Sequence, residues 1–300
     1  MELRKLGTEK TNPVSRNLDT KSSLEIARII NKEDAKVAAA VRRTLPQIAQ
    51  AIDLIADALR RGGRLIYVGA GTSGRIAALD AAECPPTFNT DPKTVQFVIA
   101  GGPKALAAAV EANEDSRSLG QREIAKKKPG KHDVVVGIAA SGRTPFTVAA
   151  VSYARRRGAK TVAVTCNRNS PLARAAHVAI VTEVGPEVVA GSSRMKAGTA
   201  QKLVLNMLST GAMTRLGYIY GNLMVNVHLK NEKLLQRGIT ILQTATGIDR
   251  KTAERTLKSA GNVSTALIML QTGVSRKTAM QVLRSDGGNV RKAIASARSL

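Results

Sequence analysis

Aromatic side chains are nearly missing from this chain: 2% of its 300 residues, with no tryptophan. That scarcity argues against a nucleic-acid surface built on stacking platforms. The interior must then be packed from Ala, Val, Ile and Leu, which suits a parallel sheet buried on both faces by helices. Cysteine is as scarce. Only Cys84 and Cys166 occur, with no Cys-x-x-Cys, and His132, His177 and His228 stand far apart. A disulfide framework and a metal site are therefore not expected, and a reducing cytoplasm is. Cys84 reads as a small buried hydrophobe, and His132 and His228 as surface or packing residues. No apolar segment follows Met1, so no secretory signal is expected. The longest uncharged run, Ser259 to Ser275, carries Gly, Asn, Ser, Thr and Gln and is no membrane span.

Acidic residues are also short: 22 against 46 basic ones, a formal charge of +24. Such an excess raises nucleic acid as a partner. Apart from Arg155-Arg-Arg157 and Lys126-Lys-Lys128 the basic residues are scattered, however, so the reading is a solvated surface that steers small anions.

What is present is periodic. Residues 1–44 read as a polar arm (Thr8 to Pro13, Asn17 to Asp19), a short helix near Ser22 to Ile30 and the start of another at Lys32. Leu45, Ile48, Ile52, Ile55 and Leu59 form one helical stripe, stopped by Gly62-Gly63. Five short apolar runs follow: Arg64 to Val68, Thr94 to Ala100, Asp133 to Ala139, Thr161 to Thr165 and Val178 to Thr182. Helices are predicted between them at Arg75 to Glu83, Lys104 to Ala125, Pro145 to Arg157 and near Leu172. The alternation predicts an α/β fold with a doubly wound five-stranded parallel sheet. Two long helical stretches are read at Arg194 to Leu216 and Asn222 to Leu235. In the tail, Thr246-Gly-Ile-Asp-Arg-Lys-Thr-Ala253 returns as Thr272-Gly-Val-Ser-Arg-Lys-Thr-Ala279, and Gly261-Asn-Val263 returns as Gly288-Asn-Val290. The tail is thus a small all-helical domain, two copies being too few for a solenoid. Three regions are expected: 1–44, an α/β domain at 45–240, and 241–300.

The first strand runs into Val68-Gly-Ala-Gly-Thr-Ser-Gly-Arg75, which places bare N–H groups at a helix start, a site for an anion. The spacing Gly69-x-Gly71-x-x-Gly74 also fits a dinucleotide fingerprint. That reading wants an acidic residue at the end of the next strand, whereas Glu83 and Asp91 both fall before it. Phosphate, with Thr72 and Ser73 as donors, is the preferred ligand. A second turn of the same kind, Ser141-Gly-Arg-Thr-Pro145, follows the third strand, and the two could grip one phosphorylated molecule from both sides. Glu83 precedes Cys84-Pro-Pro86, whose prolines are expected to end its helix. Glu111 and Glu114, three apart, share a face of the predicted Lys104 to Ala125 helix, and spacing does not choose between them. Arg194 and Lys196 put positive charge at a helix N-terminus, against its dipole, which an anion or the Glu187 carboxylate would relieve.

Together with Leu6-Gly-Thr-Glu-Lys-Thr-Asn-Pro13, Asp80-Ala-Ala-Glu-Cys-Pro-Pro-Thr-Phe88, Glu114-Asp-Ser116, Gly191-Ser-Ser-Arg-Met-Lys196 and Tyr220-Gly-Asn-Leu-Met224, these motifs resemble the N-acetylmuramic acid 6-phosphate etherases of the sugar isomerase (SIS) superfamily. The resemblance implies an SIS-like α/β domain with a ubiquitin-associated-like helical tail, a homodimer with shared active sites, and no metal or nucleotide cofactor. It implies a cytoplasmic carbon–oxygen lyase of cell-wall sugar recycling that cleaves the D-lactyl ether of N-acetylmuramate 6-phosphate by elimination and hydration. On it, Glu83 is the acid that protonates the departing ether and Glu114 the base at carbon 2. Gly71, Thr72, Ser73, Ser141, Gly142 and Thr144 hold the phosphate, with Ser192, Ser193 and Lys196 lining the site. The acid is expected to be buried and the base ionised. The sequence departs from the family pattern at Ser193 (Thr expected) and Asn226 (Asp usual). The rival readings are a sugar-phosphate isomerase and a non-catalytic sugar-phosphate sensor that regulates a kinase.

Overall fold

The computed structural model describes residues 7–108, 110, 113–229 and 231–300. Their contacts divide the chain into two compact units. One comprises residues 1–81 and 93–209, the other residues 82–92 and 210–300.

The first unit opens with α1 (Ser23–Arg42) and α2 (Leu45–Arg60). The arm's expected helix near Ser22 to Ile30 and the next one at Lys32 are a single helix, started by a capping box between Ser22 and Glu25. The chain then alternates: β1 (Leu65–Gly69), α3 (Gly71–Phe88), β2 (Val95–Ile99), α4 (Arg117–Lys126), β3 (Val134–Ile138), α5 (Pro145–Arg156), β4 (Lys160–Thr165), α6 (Pro171–Ala175), β5 (Val178–Val181) and α7 (Lys196–Leu216). All five predicted strands form one parallel sheet in the order β2-β1-β3-β4-β5. The order reverses between β1 and β3, and ligands of such sheets bind beyond the carboxyl ends of the strands at that point. In register, Gly69 pairs with Ile138, so the two glycine-hydroxyl turns leave the sheet side by side.

The sheet is buried on both faces. Ile66 and Val68 cluster with Ile124 of α4, Phe146 of α5 and Leu172 of α6, while Leu65 and Tyr67, also fully buried, point the other way. Each such aliphatic side chain contributes about 1.5–3 kcal/mol by leaving water. Beneath β1, the Tyr67 hydroxyl donates to Asp80 Oδ2 at 2.8 Å, and Asn206 and Ser209 donate to Asp80 Oδ1 at 2.9 and 3.0 Å. Burial pushes the Asp80 carboxyl up, and these bonds only partly offset it.

Three helices differ from the sequence reading. The prolines do not end α3: it runs through Pro85 and Pro86 to Phe88, losing only the two ladder bonds that the missing N–H groups would have made. The predicted Lys104 to Ala125 helix is instead a 3-10 segment, Gly102–Leu106, and then α4, which starts only where Ser116 accepts from the Leu119 amide. Glu114 is therefore on a loop; Glu111, and with it the reading of a face shared with Glu114, lies outside the described residues. The helix read at Asn222 to Leu235 is displaced. Tyr220 and Leu223 form a bridge, and α8 (Glu232–Thr246) begins at its cap Asn231.

The second unit holds α8, α9 (Arg250–Ala260), α10 (Val263–Thr272), α11 (Arg276–Ser285) and α12 (Val290–Arg298). Its core joins Val225, Ile239 and Leu242 to Leu257, Leu267, Ile268 and Ile294. The boundary expected at 240–241 falls inside α8. Both copies of the repeat are two helices each, α9–α10 and α11–α12. Cys84 and Cys166 are buried and form no disulfide with each other, and burial raises the Cys166 pKa to about 12.

Candidate active site

At the carboxyl edge of β1 and β3 lies a cavity of about 350 Å³. Its walls include Gly71, Thr72 and Ser73 from the start of α3 and Ser141 and Thr144 from the turn before α5. The residue preceding α3 is Ala70, whose side chain has no acceptor with which to cap the helix. Thr144 occupies the N-cap position of α5, yet its hydroxyl makes no capping bond. Two helix N-termini thus open on one cavity with hydroxyls beside them, a natural seat for a phosphate. The turns need their glycines. Gly71 has φ +52° and Gly142 φ +67°, and a Cβ on Gly142 would lie 2.3 Å from Ser170 Oγ.

Glu114 also lines this cavity. Its Oε1 lies 3.0 Å from where a Gly71 Cβ would be, so the carboxylate sits directly over the start of α3. Its main chain is fixed to the neighbouring helix, because the Phe146 amide donates to the Glu114 carbonyl at 3.0 Å. The Arg75 guanidinium donates to the carbonyls of Leu106 and Ala108, holding the segment that forms the adjoining wall.

The start of α7 is built differently. Glu187, fully buried, accepts from the amides of Lys196 (3.0 Å) and Ala197 (2.9 Å), which is the carboxylate compensation expected there. Burial raises the Glu187 carboxyl, and those amide bonds only partly counter it. Lys196 is 1% exposed, and its Nζ donates to Glu33 Oε2 of α1 at 2.6 Å. Burial alone would raise the Glu33 carboxyl, but hydrogen bonds from Lys196, Lys36 and Asn12 prevail and hold it at about 2.

Of the residues expected to bind substrate, Gly71, Thr72, Ser73, Ser141, Thr144 and Ser193 come together around the cavity with Glu114. Lys196 does not line it: its ammonium is committed to Glu33. Gly142 and Ser192 are in turns and are not among the lining residues; the Gly142 amide donates to the Ala139 carbonyl and the Ser192 amide to the Val189 carbonyl. Glu83 stands eleven residues beyond Thr72 on α3, about 16 Å along the helix axis, and is exposed rather than buried. Two ionisable lining residues were not singled out in the sequence, Arg75 of α3 and, from the N-terminal arm, Glu9. Its signal was present in the Leu6 to Pro13 motif, but nothing local shows that the arm reaches the sheet.

Comparison with known proteins places the fold and the family. Residues 47–155 match the glucokinase regulatory protein N-terminal SIS domain, and residues 128–211 match the SIS domain. A phosphoheptose isomerase from Francisella tularensis superposes with a TM-score of 0.52 at 18% identity, covering 65% of this chain and all of that one, which shows the shared fold. The N-acetylmuramic acid 6-phosphate etherase of Photorhabdus laumondii is 49% identical over 99% of both chains. That of Symbiobacterium thermophilum is 57% identical over 90% of both. With an SIS sheet, and with identity of this level over nearly its whole length, the chain belongs to the N-acetylmuramic acid 6-phosphate etherase family.

Proposed function

We propose that the cavity binds N-acetylmuramate 6-phosphate by its phosphate, on the open starts of α3 and α5, and that the protein cleaves the D-lactyl ether to give N-acetylglucosamine 6-phosphate and D-lactate. The observation that carries this reading is the Glu114 carboxylate standing over the phosphate seat. An open-chain sugar aldehyde acidifies the proton on carbon 2, and a carboxylate placed beside the bound phosphate is suited to remove it. Lactate then leaves carbon 3, and water adds to the double bond that forms.

An ether oxygen departs poorly without a proton, so an acid is required. We assign that role to Glu83, supplied by a second copy of the chain. Its exposure and its distance along α3 from Thr72 support this, and a homodimer with shared sites would bury the carboxyl and favour its protonated form. The setting is the bacterial cytoplasm, in recycling of cell-wall amino sugar.

Incubation with N-acetylmuramate 6-phosphate and an assay for free D-lactate tests the reading. A folded protein that exchanges the carbon 2 proton with solvent but releases no lactate would be an isomerase. One that binds the sugar phosphate and does neither would be a sensor.

A further inference from the structure

We infer that Glu9 is the group that opens the sugar ring, passing a proton from the anomeric hydroxyl to the ring oxygen. This rests on the proposed function, since elimination needs the open-chain aldehyde.

The arm that carries Glu9 is pinned on both sides of it. The Gly7 amide donates to Asn167 Oδ1 at 2.9 Å, and Asn167 Nδ2 in turn donates to the Ala140 carbonyl at 3.1 Å, at the end of β3. Further along, Asn12 Nδ2 donates to Glu33 Oε2 at 2.9 Å and to the Pro186 carbonyl at 3.1 Å, and the Ser15 hydroxyl donates to the Val188 carbonyl at 2.7 Å. Such anchoring holds the Glu9 side chain in the cavity wall, with Oε2 3.3 Å from where a Gly191 Cβ would be. Among the described residues its carboxylate accepts one bond, from Thr8 Oγ1 at 3.4 Å, and pairs with no cation.

A half-buried carboxylate facing a phosphate seat is repelled by the phosphate, so it is not there to bind that group. It suits a neutral donor on the same ligand. The cavity is at the small end for ligand pockets, so a sugar held by its phosphate reaches the other walls. Its titratable lining residues among those described are Glu9, Arg75 and Glu114. The Arg75 guanidinium is spent on the carbonyls of Leu106 and Ala108, and Glu114 is assigned to carbon 2. Ring opening is the remaining proton transfer, and Glu9 the remaining carboxylate. The step balances: Glu9 takes the proton from the hydroxyl on carbon 1, the carbon 1 to ring-oxygen bond breaks as the carbonyl forms, and Glu9 returns the same proton to the released oxygen. The carboxylate ends as it began.

The test follows interconversion of the α and β anomers of N-acetylglucosamine 6-phosphate by saturation-transfer NMR, beside the D-lactate assay. Wild type is expected to accelerate interconversion. Glu9→Gln is expected to lose that acceleration and to release lactate about 100-fold more slowly, with KM changed less than about threefold. Glu9→Asp, which keeps the charge one methylene short, is expected to be intermediate. Wild-type interconversion in either folded variant, or a loss explained by a raised KM, would overturn the assignment. Interconversion that depends on Glu9 in a wild type that releases no lactate would instead sink the proposed function alone.

Discussion

The helical tail and the cavity treat helix N-termini in opposite ways. Every helix from α8 to α12 begins on a side chain that accepts from its own third amide: Asn231, Asp249, Asn262, Ser275 and Asn289. At the cavity, α3 follows an alanine and the Thr144 hydroxyl at α5 is not used as a cap. A cap is worth about 0.5–2 kcal/mol, so a helix that forgoes one keeps its amides for something else. The tail's helix ends stabilise the chain; those at the cavity carry no such cap, as the proposed phosphate seat requires. The start of α7 is a third case, in which an internal carboxylate, Glu187, occupies the place that a ligand would take.

The contrast can be broken at several points. Glu114→Gln removes the carboxylate proposed as the base, and lactate release is expected to fall about 10²- to 10⁴-fold, with sugar-phosphate binding retained; steady-state kinetics and a binding titration check it. Glu33→Gln leaves the Lys196 ammonium buried without its partner, at a cost of about 3–5 kcal/mol in denaturant unfolding. The same pair has a pH signature. Because the folded state holds Glu33 below its ordinary value, its contribution is present above 4.5 and is withdrawn as pH falls toward about 2. Acid unfolding of Glu33→Gln is expected to lack that component.

Smaller effects sharpen the comparison. Ala70→Ser gives α3 the kind of cap that the tail helices have. If its amides serve a phosphate, KM is expected to rise severalfold, up to about tenfold, as a hydrogen bond to a charged group is weakened; unchanged KM would show that α3 does not hold the ligand. Asn262→Ala strips a tail cap and is expected to cost about 1 kcal/mol of stability, read by thermal unfolding, with KM unaltered.

Much of this was legible in the sequence because the signals are local. Five apolar runs bounded by turns marked the five strands, and the Gly71 and Gly142 turns marked two loops whose residues line the cavity. Legibility ended where local propensity met tertiary context. The alanine-rich stretch after Lys104 looks helical, yet α4 waits for Ser116, and Glu114 is placed by a loop whose carbonyl is claimed by Phe146. Pro85 and Pro86 look like a stop, but a helix tolerates the loss of two bonds near its end. Lys196 looks like an anion ligand until Glu33, far away in the chain, neutralises it.

The sequence by itself determined the parallel sheet, the repeated helical tail and the family, because hydrophobic period, glycine spacing and motif order need no knowledge of distant neighbours. Only the tertiary structure decided that β1 and β3 are adjacent, that Glu9 reaches the cavity and that Lys196 does not. Those facts depend on strand order and on contacts between residues more than a hundred positions apart, which no local pattern encodes.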